Sequence, residues 1–162
     1  MENQNGICLK GQNVLKKILI IDQKPFSRTL LKNDLAVGYQ VFEAQDYVET
    51  KALLQQEQVD LILLDMDRAE NDGAEICTNL KDDTFTENTP LILLSSYNQK
   101  EDIISGLYSG ADDYLTKPIY PNELFARIDT HLRVKNYYSD LEKEDLMMLL
   151  ELTEFISVSR KR

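Results

Sequence analysis

Three stretches of the chain hold four aliphatic residues in a row with no polar alternation: KILIID from Lys17, DLILLDMD from Asp60 and PLILLSS from Pro90. A strand with one wet face alternates apolar and polar positions. These runs do not, so they predict strands covered on both faces, as in a parallel sheet. Two weaker candidates, YQVFEA from Tyr39 and DDYLTKP from Asp112, bring the number of strands to five. Between the strands the apolar spacing changes to that of helices. Pro25, suited to a first turn, precedes Leu30, Leu31 and Leu35 in residues 26–35. Val48, Ala52 and Leu53 share a side in 47–56, and Ala74, Ile76, Cys77 and Leu80 do so in 72–80. Ile103, Ile104 and Leu107 mark 101–107, and Leu124, Phe125, Ile128 and Leu132 mark 121–134.

Five strands alternating with five helices predict right-handed crossovers and an α/β fold with a doubly wound five-stranded parallel sheet. Function in such sheets collects at the carboxyl ends of the strands. Asp22, Asp65, Ser95 and Lys117 all fall where a strand should end. After Val134 the pattern becomes KNYYSDLEKEDLMMLLELTEFISVSRKR, in which Tyr138, Leu141, Met148, Leu152 and Phe155 follow a heptad interrupted by Asp145. It predicts a continuation of the last helix, either packed on its own domain or serving dimerisation or signal transmission. The expected organisation is an N-terminal extension over 1–15, a folded domain over 16–134 and a helical tail over 135–162.

With 162 residues, 43% hydrophobic and 28% charged, and only 6 Gly and 4 Pro, the chain has the composition of one ordinary globular domain with an appendage. The net charge of -10 argues against direct binding of nucleic acid or of anionic membrane. No apolar run approaches the roughly 20 residues of a membrane span, and MENQNGICLK lacks the order of a signal peptide, so a cytoplasmic location is expected. Cys8 and Cys77 lie far apart with no CxxC neighbour, so neither a disulfide nor zinc is expected. His131, the single histidine, sits in a helical pattern and reads as a surface or boundary residue.

A carboxylate is a nucleophile towards phosphorus when something neutralises the charge on the transferring oxygens. The strand ends contain such a set. Asp65 is the candidate nucleophile, Asp22 and Asp67 are candidates to help hold Mg2+, Lys117 offers a fixed positive charge and Ser95 a hydroxyl donor. Taken singly, each has a blander reading. Asp46 and Asp72 read as helix caps or solvated loop acids, Lys117 before Pro118 as a turn residue, and Ser95 as a group that bonds its own backbone.

IIDQKPFSR at Asp22, LLDMDRAENDG at Asp65, LLSS at Ser95 and GADDYLTKP at Lys117 together resemble the receiver domain of two-component response regulators, over Lys16 to Val134. The resemblance implies a flavodoxin-like, receiver-type fold. It also implies that Asp65 accepts a phosphoryl group from a sensor histidine kinase or phosphotransfer protein. Mg2+ would be held by Asp22, Asp65 and the main-chain carbonyl of Asp67, whose side chain is a further candidate ligand. Lys117 and Ser95 would contact the phosphoryl group, Ser95 and Tyr114 would switch together, and the Lys117–Pro118 bond would be cis. The family's second metal-binding acid is Gln23 here, which implies weaker metal binding. The family's proline after the acceptor is Ala69, which implies a looser loop.

The exit helix, ELFARIDTHLRVKNYYSDLE, resembles that of receivers joined to diguanylate cyclase, phosphodiesterase or kinase modules. The implied partners are such an output module, fused or separate, or a second copy docked through the fourth and fifth helices and the tail. No external substrate is expected to be turned over. Three other readings compete. A pseudo-receiver, a phosphorylation-independent interaction module, finds support in Gln23. A haloacid-dehalogenase-type phosphatase would share Asp65, Asp67, Ser95 and Lys117, but needs an acidic loop where PIYPNELFARI stands. A flavodoxin needs a Ser/Thr/Gly-rich phosphate loop where DQKPFSR stands.

Overall fold

A computed structural model describes residues 14–70 and 72–159 of the chain. Cys8 and most of the N-terminal extension lie outside these residues, as does the side chain of Phe155. The elements run β1 (Lys17–Ile21), α1 (Pro25–Leu35), β2 (Gln40–Ala44), α2 (Tyr47–Leu54), β3 (Leu61–Asp65), α3 (Gly73–Asp82), β4 (Leu91–Ser95), α4 (Lys100–Tyr108), β5 (Asp113–Thr116) and α5 (Pro121–Ser159). All the strands pair in parallel, in the order β2-β1-β3-β4-β5. This is the doubly wound arrangement the alternation predicts.

The unbroken aliphatic runs are the three inner strands, and their side chains divide between two layers because successive residues point to opposite faces. Ile18, Ile20, Leu61, Leu63, Ile92 and Leu94 face Leu31 and Leu35 of α1 and Leu124, Ile128 and Leu132 of α5. Leu19, Ile21, Ile62, Leu64, Leu91 and Leu93 face Ile76, Cys77 and Leu80 of α3. The edge strands β2 and β5 are only partly buried, hence their weaker sequence signal.

Two local expectations fare differently. Asp46 caps α2, its carboxylate accepting the Glu49 N–H at 2.8 Å. Asp72 occupies the cap position of α3 without a capping hydrogen bond, because its carboxylate accepts from Arg68 Nε at 2.6 Å instead. His131 is a boundary residue as expected, its Nε2 lying 3.0 Å from Asp113.

Helix α5 runs unbroken for 39 residues, about 58 Å at 1.5 Å per residue. Its first turns bury Leu124, Ile128 and Leu132, but every described residue from Asp140 to Thr153 is exposed, including Leu146, Met148, Leu149, Leu150 and Leu152. The tail therefore does not pack on its own domain over that stretch. No helix among the described residues is long and apolar enough to cross a membrane.

Leu63 is fully buried in the middle of β3, with helices on one side and paired strands on both edges. Truncation there leaves a cavity that the paired backbone cannot close. Leu63→Ala is expected to cost about 2–5 kcal/mol of stability, read as a lower urea midpoint with an unchanged denaturant slope.

Candidate functional site

Adjacent parallel strands β1 and β3 deliver Asp22 and Asp65 to the same end of the sheet, where they are 1% and 2% exposed. Asp22 ends its strand with a local turn: Oδ1 accepts the Lys24 N–H at 2.8 Å, and its carbonyl accepts from Arg28 Nη1 at 2.6 Å. Its second carboxylate oxygen, Oδ2, is buried with no hydrogen-bond partner. Asp65 is better satisfied. Oδ1 accepts the Asp67 N–H at 2.8 Å and Oδ2 receives the Lys117 ammonium.

Burial pushes the Asp65 carboxyl above the usual carboxylate range; the hydrogen bond from Lys117 opposes that, while the charge of Asp22 adds to it. Burial lowers the pKa of Lys117, but the hydrogen bonds and charges of Asp65 and Asp67 outweigh it, so the ammonium is held above its ordinary value.

Asp67 does not turn towards Asp22. Its carboxylate accepts from Ser96 Oγ at 2.6 Å, from the Ser96 N–H at 2.9 Å, from Ser95 Oγ at 3.1 Å and from Lys117 Nζ at 2.9 Å. Burial raises its pKa, but the bonds from Ser96 and Lys117 prevail and hold it down at about 2. The candidate role of this side chain as a metal ligand is therefore at odds with the geometry, because four donors already occupy it. Ser96, which the reading of LLSS passes over, is its principal partner. Ser95 Oγ also accepts the Tyr97 N–H at 3.1 Å, the local backbone bond anticipated for it.

Gln23 faces the β3–α3 loop. Its Oε1 accepts the Ala69 N–H at 2.9 Å, and its Nε2 donates to the Glu70 carboxylate. A proline at 69 would have no N–H to give. Ala69, where the resemblance leads one to expect proline, gives this N–H to Gln23. A second tether comes from Arg68, whose guanidinium is buried and donates to Asp72 and, through Nη2, to the Gln45 carbonyl at 3.2 Å. Neither Glu70 nor Arg68 stands out in the sequence, since each carries a common surface residue type in a loop.

On the other side of the cluster, the Tyr114 hydroxyl donates to the Tyr97 carbonyl at 2.8 Å and its ring lies against Gly106. A Cβ at 106 would come within 2.8 Å of that ring, so α4 needs glycine there. Met66, Ala74, Ser95, Tyr97, Gly106 and Tyr114 line an open cavity of about 400 Å³. The Lys117–Pro118 peptide is cis.

The donor set suits a hard cation in part. Asp22 and Asp65 offer oxygen only, and the orphaned Oδ2 of Asp22 is a buried acceptor lacking a donor or cation. Mg2+ is commonly held by one or two carboxylates while keeping several waters. Among the described residues, no group of three or more His, Cys, Asp or Glu is already gathered for a metal.

The sequence and the structure both have relatives. The family described as "Response regulator receiver domain" matches residues 18–129. The DNA-binding dual master transcriptional regulator RpaA of Synechocystis sp. is 41% identical over 120 residues, covering 74% of this chain and 50% of the relative. The response regulator PleD of Caulobacter vibrioides is 36% identical over 130 residues, covering 80% of this chain and 29% of the relative. The chain thus spans half or less of the length of these curated relatives. Among solved structures, a response regulator receiver modulated diguanylate cyclase from Pelobacter carbinolicus matches at 48% identity with a TM-score of 0.66, covering 78% of this chain and 99% of that one. A CheY-like receiver domain protein from Methanospirillum hungatei matches at 27% identity with a TM-score of 0.69, covering 76% and 98%. Carboxylates at the β1 and β3 ends, a hydroxyl at the β4 end and a lysine after β5 are thus housed in a chain that belongs to the response regulator receiver domain family of two-component systems.

Proposed function

We propose that the chain is a phosphoacceptor switch that takes a phosphoryl group on Asp65. The observation that carries this reading is the buried Asp65 carboxylate held between the Lys117 ammonium and the Asp67 amide, with Ser95 linked to both through the Asp67 side chain. The donor in this reading is a phosphohistidine on a sensor histidine kinase or a phosphotransfer protein. A carboxylate oxygen of Asp65 bonds to phosphorus as the phosphorus–nitrogen bond breaks, and the imidazole departs with the electron pair. Mg2+, bound by Asp22, Asp65 and the main-chain carbonyl of Asp67, would neutralise charge on the phosphoryl oxygens.

The residues of the chain do the rest. Lys117 already spans Asp65 and Asp67, so its charge needs only a small displacement to meet a phosphoryl oxygen. Ser95 would exchange its bond to Asp67 for one to the phosphoryl group, and Tyr114, across the shared cavity, would change rotamer with it. The chain turns over no external metabolite in this reading. Its output is a change of surface on α4, β5 and α5, passed to a second copy or to a fused or separate module such as a diguanylate cyclase, with residues 135–162 as the connecting helix. The net charge of -10 supports protein contact over direct nucleic-acid contact.

A second reading, an interaction module independent of phosphorylation, draws on one observation: Gln23 has its amide committed to Ala69 and Glu70. Intact mass after incubation with acetyl phosphate and Mg2+ separates the two. Gain of one phosphoryl group, absent in Asp65→Ala and reduced in Lys117→Ala, is expected; a parent chain that stays unmodified while Gln23→Asp is labelled would favour the second reading.

Holding two buried acids beside one lysine costs stability. In Asp22→Asn the Oδ1 bond to Lys24 survives and a like charge near Asp65 is removed. A gain of about 1–2 kcal/mol is expected in urea unfolding without divalent cations. Unchanged or lower stability would show that Asp22 supports the fold rather than straining it.

A further inference from the structure

Four features meet at the β1 and β3 ends. Asp22 Oδ2 is a buried, unpartnered acceptor on a residue 1% exposed. The acid that the resemblance leads one to expect beside it is an amide, Gln23. The Asp67 carboxylate, a further candidate ligand, is already taken by Ser95, Ser96 and Lys117. Finally, Gln23 hands its amide hydrogen to a different acid, Glu70, which forms no salt bridge among the described residues.

We propose, resting on the reading of Asp22 and Asp65 as a divalent-cation site, that Glu70 is the second outer carboxylate of that site, supplied by the β3–α3 loop and positioned by Gln23. Glutamine fits this place for a physical reason. Its oxygen end is needed as an acceptor for the Ala69 N–H, and its nitrogen end as a donor to Glu70. A carboxylate at 23 would serve the first contact and repel the second. Gln23, Ala69 and Glu70 are then one coupled arrangement: the amide replaces the acid, the missing proline frees the N–H that anchors the amide, and the acid reappears on the loop. Glu70 is exposed, and its partner among the described residues is a neutral amide, which a cation can displace. Glu70 is a cation ligand here, and Gln23 a positioning residue.

The test is Mg2+ binding by isothermal titration calorimetry, with Mn2+ electron paramagnetic resonance as a second readout, on the full chain and its variants. Glu70→Gln is expected to weaken binding about tenfold or more. The exchange variant Gln23→Glu with Glu70→Gln, which swaps acid and amide between the two positions, is expected to restore it. Thermal unfolding checks that each variant folds. If Glu70→Gln binds Mg2+ as the parent does while Asp22→Asn does not, the cation site stands and Glu70 is not part of it. If the parent binds no Mg2+ at all, the cation site itself is wrong and the proposal falls with it.

Discussion

Among the described residues Lys117 is the cation that bonds the carboxylates at the end of the sheet, meeting two of the three, and the site is arranged around that imbalance. Its ammonium bridges Asp65 and Asp67, leaving Asp22 with an oxygen that has no partner. Burying like charges beside one another is unfavourable, and the protein tolerates it only where the surroundings fix each group in place. Here the surroundings are rigid: β1 and β3 are fully paired on both sides, and the residues before each acid are completely buried. The unfavourable charge is thus maintained by the sheet.

The β3–α3 loop adapts to that constraint in a way particular to this chain. It begins at Asp65 and carries Asp67, Arg68, Ala69 and Glu70, and each is held by something outside the loop or at its far end. Asp67 is fastened to β4 through Ser95 and Ser96, Arg68 to the β2–α2 loop through Gln45, and Ala69 and Glu70 to Gln23. Rigidity that a proline would place in the backbone is distributed over side-chain bonds to three neighbouring strand ends. The arrangement is more polar, and its strength depends on every donor meeting its acceptor.

Strand runs without alternation made the parallel sheet legible, because burial on both faces leaves a period-free signature; strand-end polarity then made Asp22, Asp65, Ser95 and Lys117 legible as one cluster. What the pattern did not carry was direction. Asp67 occupies a loop from which it could face Asp22 or β4, and the hydroxyls of Ser95 and Ser96, the Ser96 N–H and the Lys117 ammonium together decide for β4. The roles of Arg68 and Glu70 were illegible for the same reason: a charged loop residue signals solvent, and only the tertiary positions of Gln45 and Gln23 give these two a partner. Asp72 illustrates the converse, a residue with a strong capping signature whose carboxylate is diverted by a buried guanidinium four residues earlier.

Strand β5 joins the site to the long helix through one residue at each end. At its start, Asp113 accepts from Arg127 Nη1 at 3.3 Å and contacts His131 at 3.0 Å, both on α5; just past its end stands Lys117, bonded to Asp65. Tyr114, the next residue after Asp113, reaches in the opposite direction to the β4–α4 loop. The strand is short, four residues and only partly buried, so its two ends lie close together. Helix α5 is anchored at Leu124, Ile128 and Leu132 and uncovered by the domain from Asp140 to Thr153. The leucines and methionines of that length form an apolar surface that no described part of the domain covers.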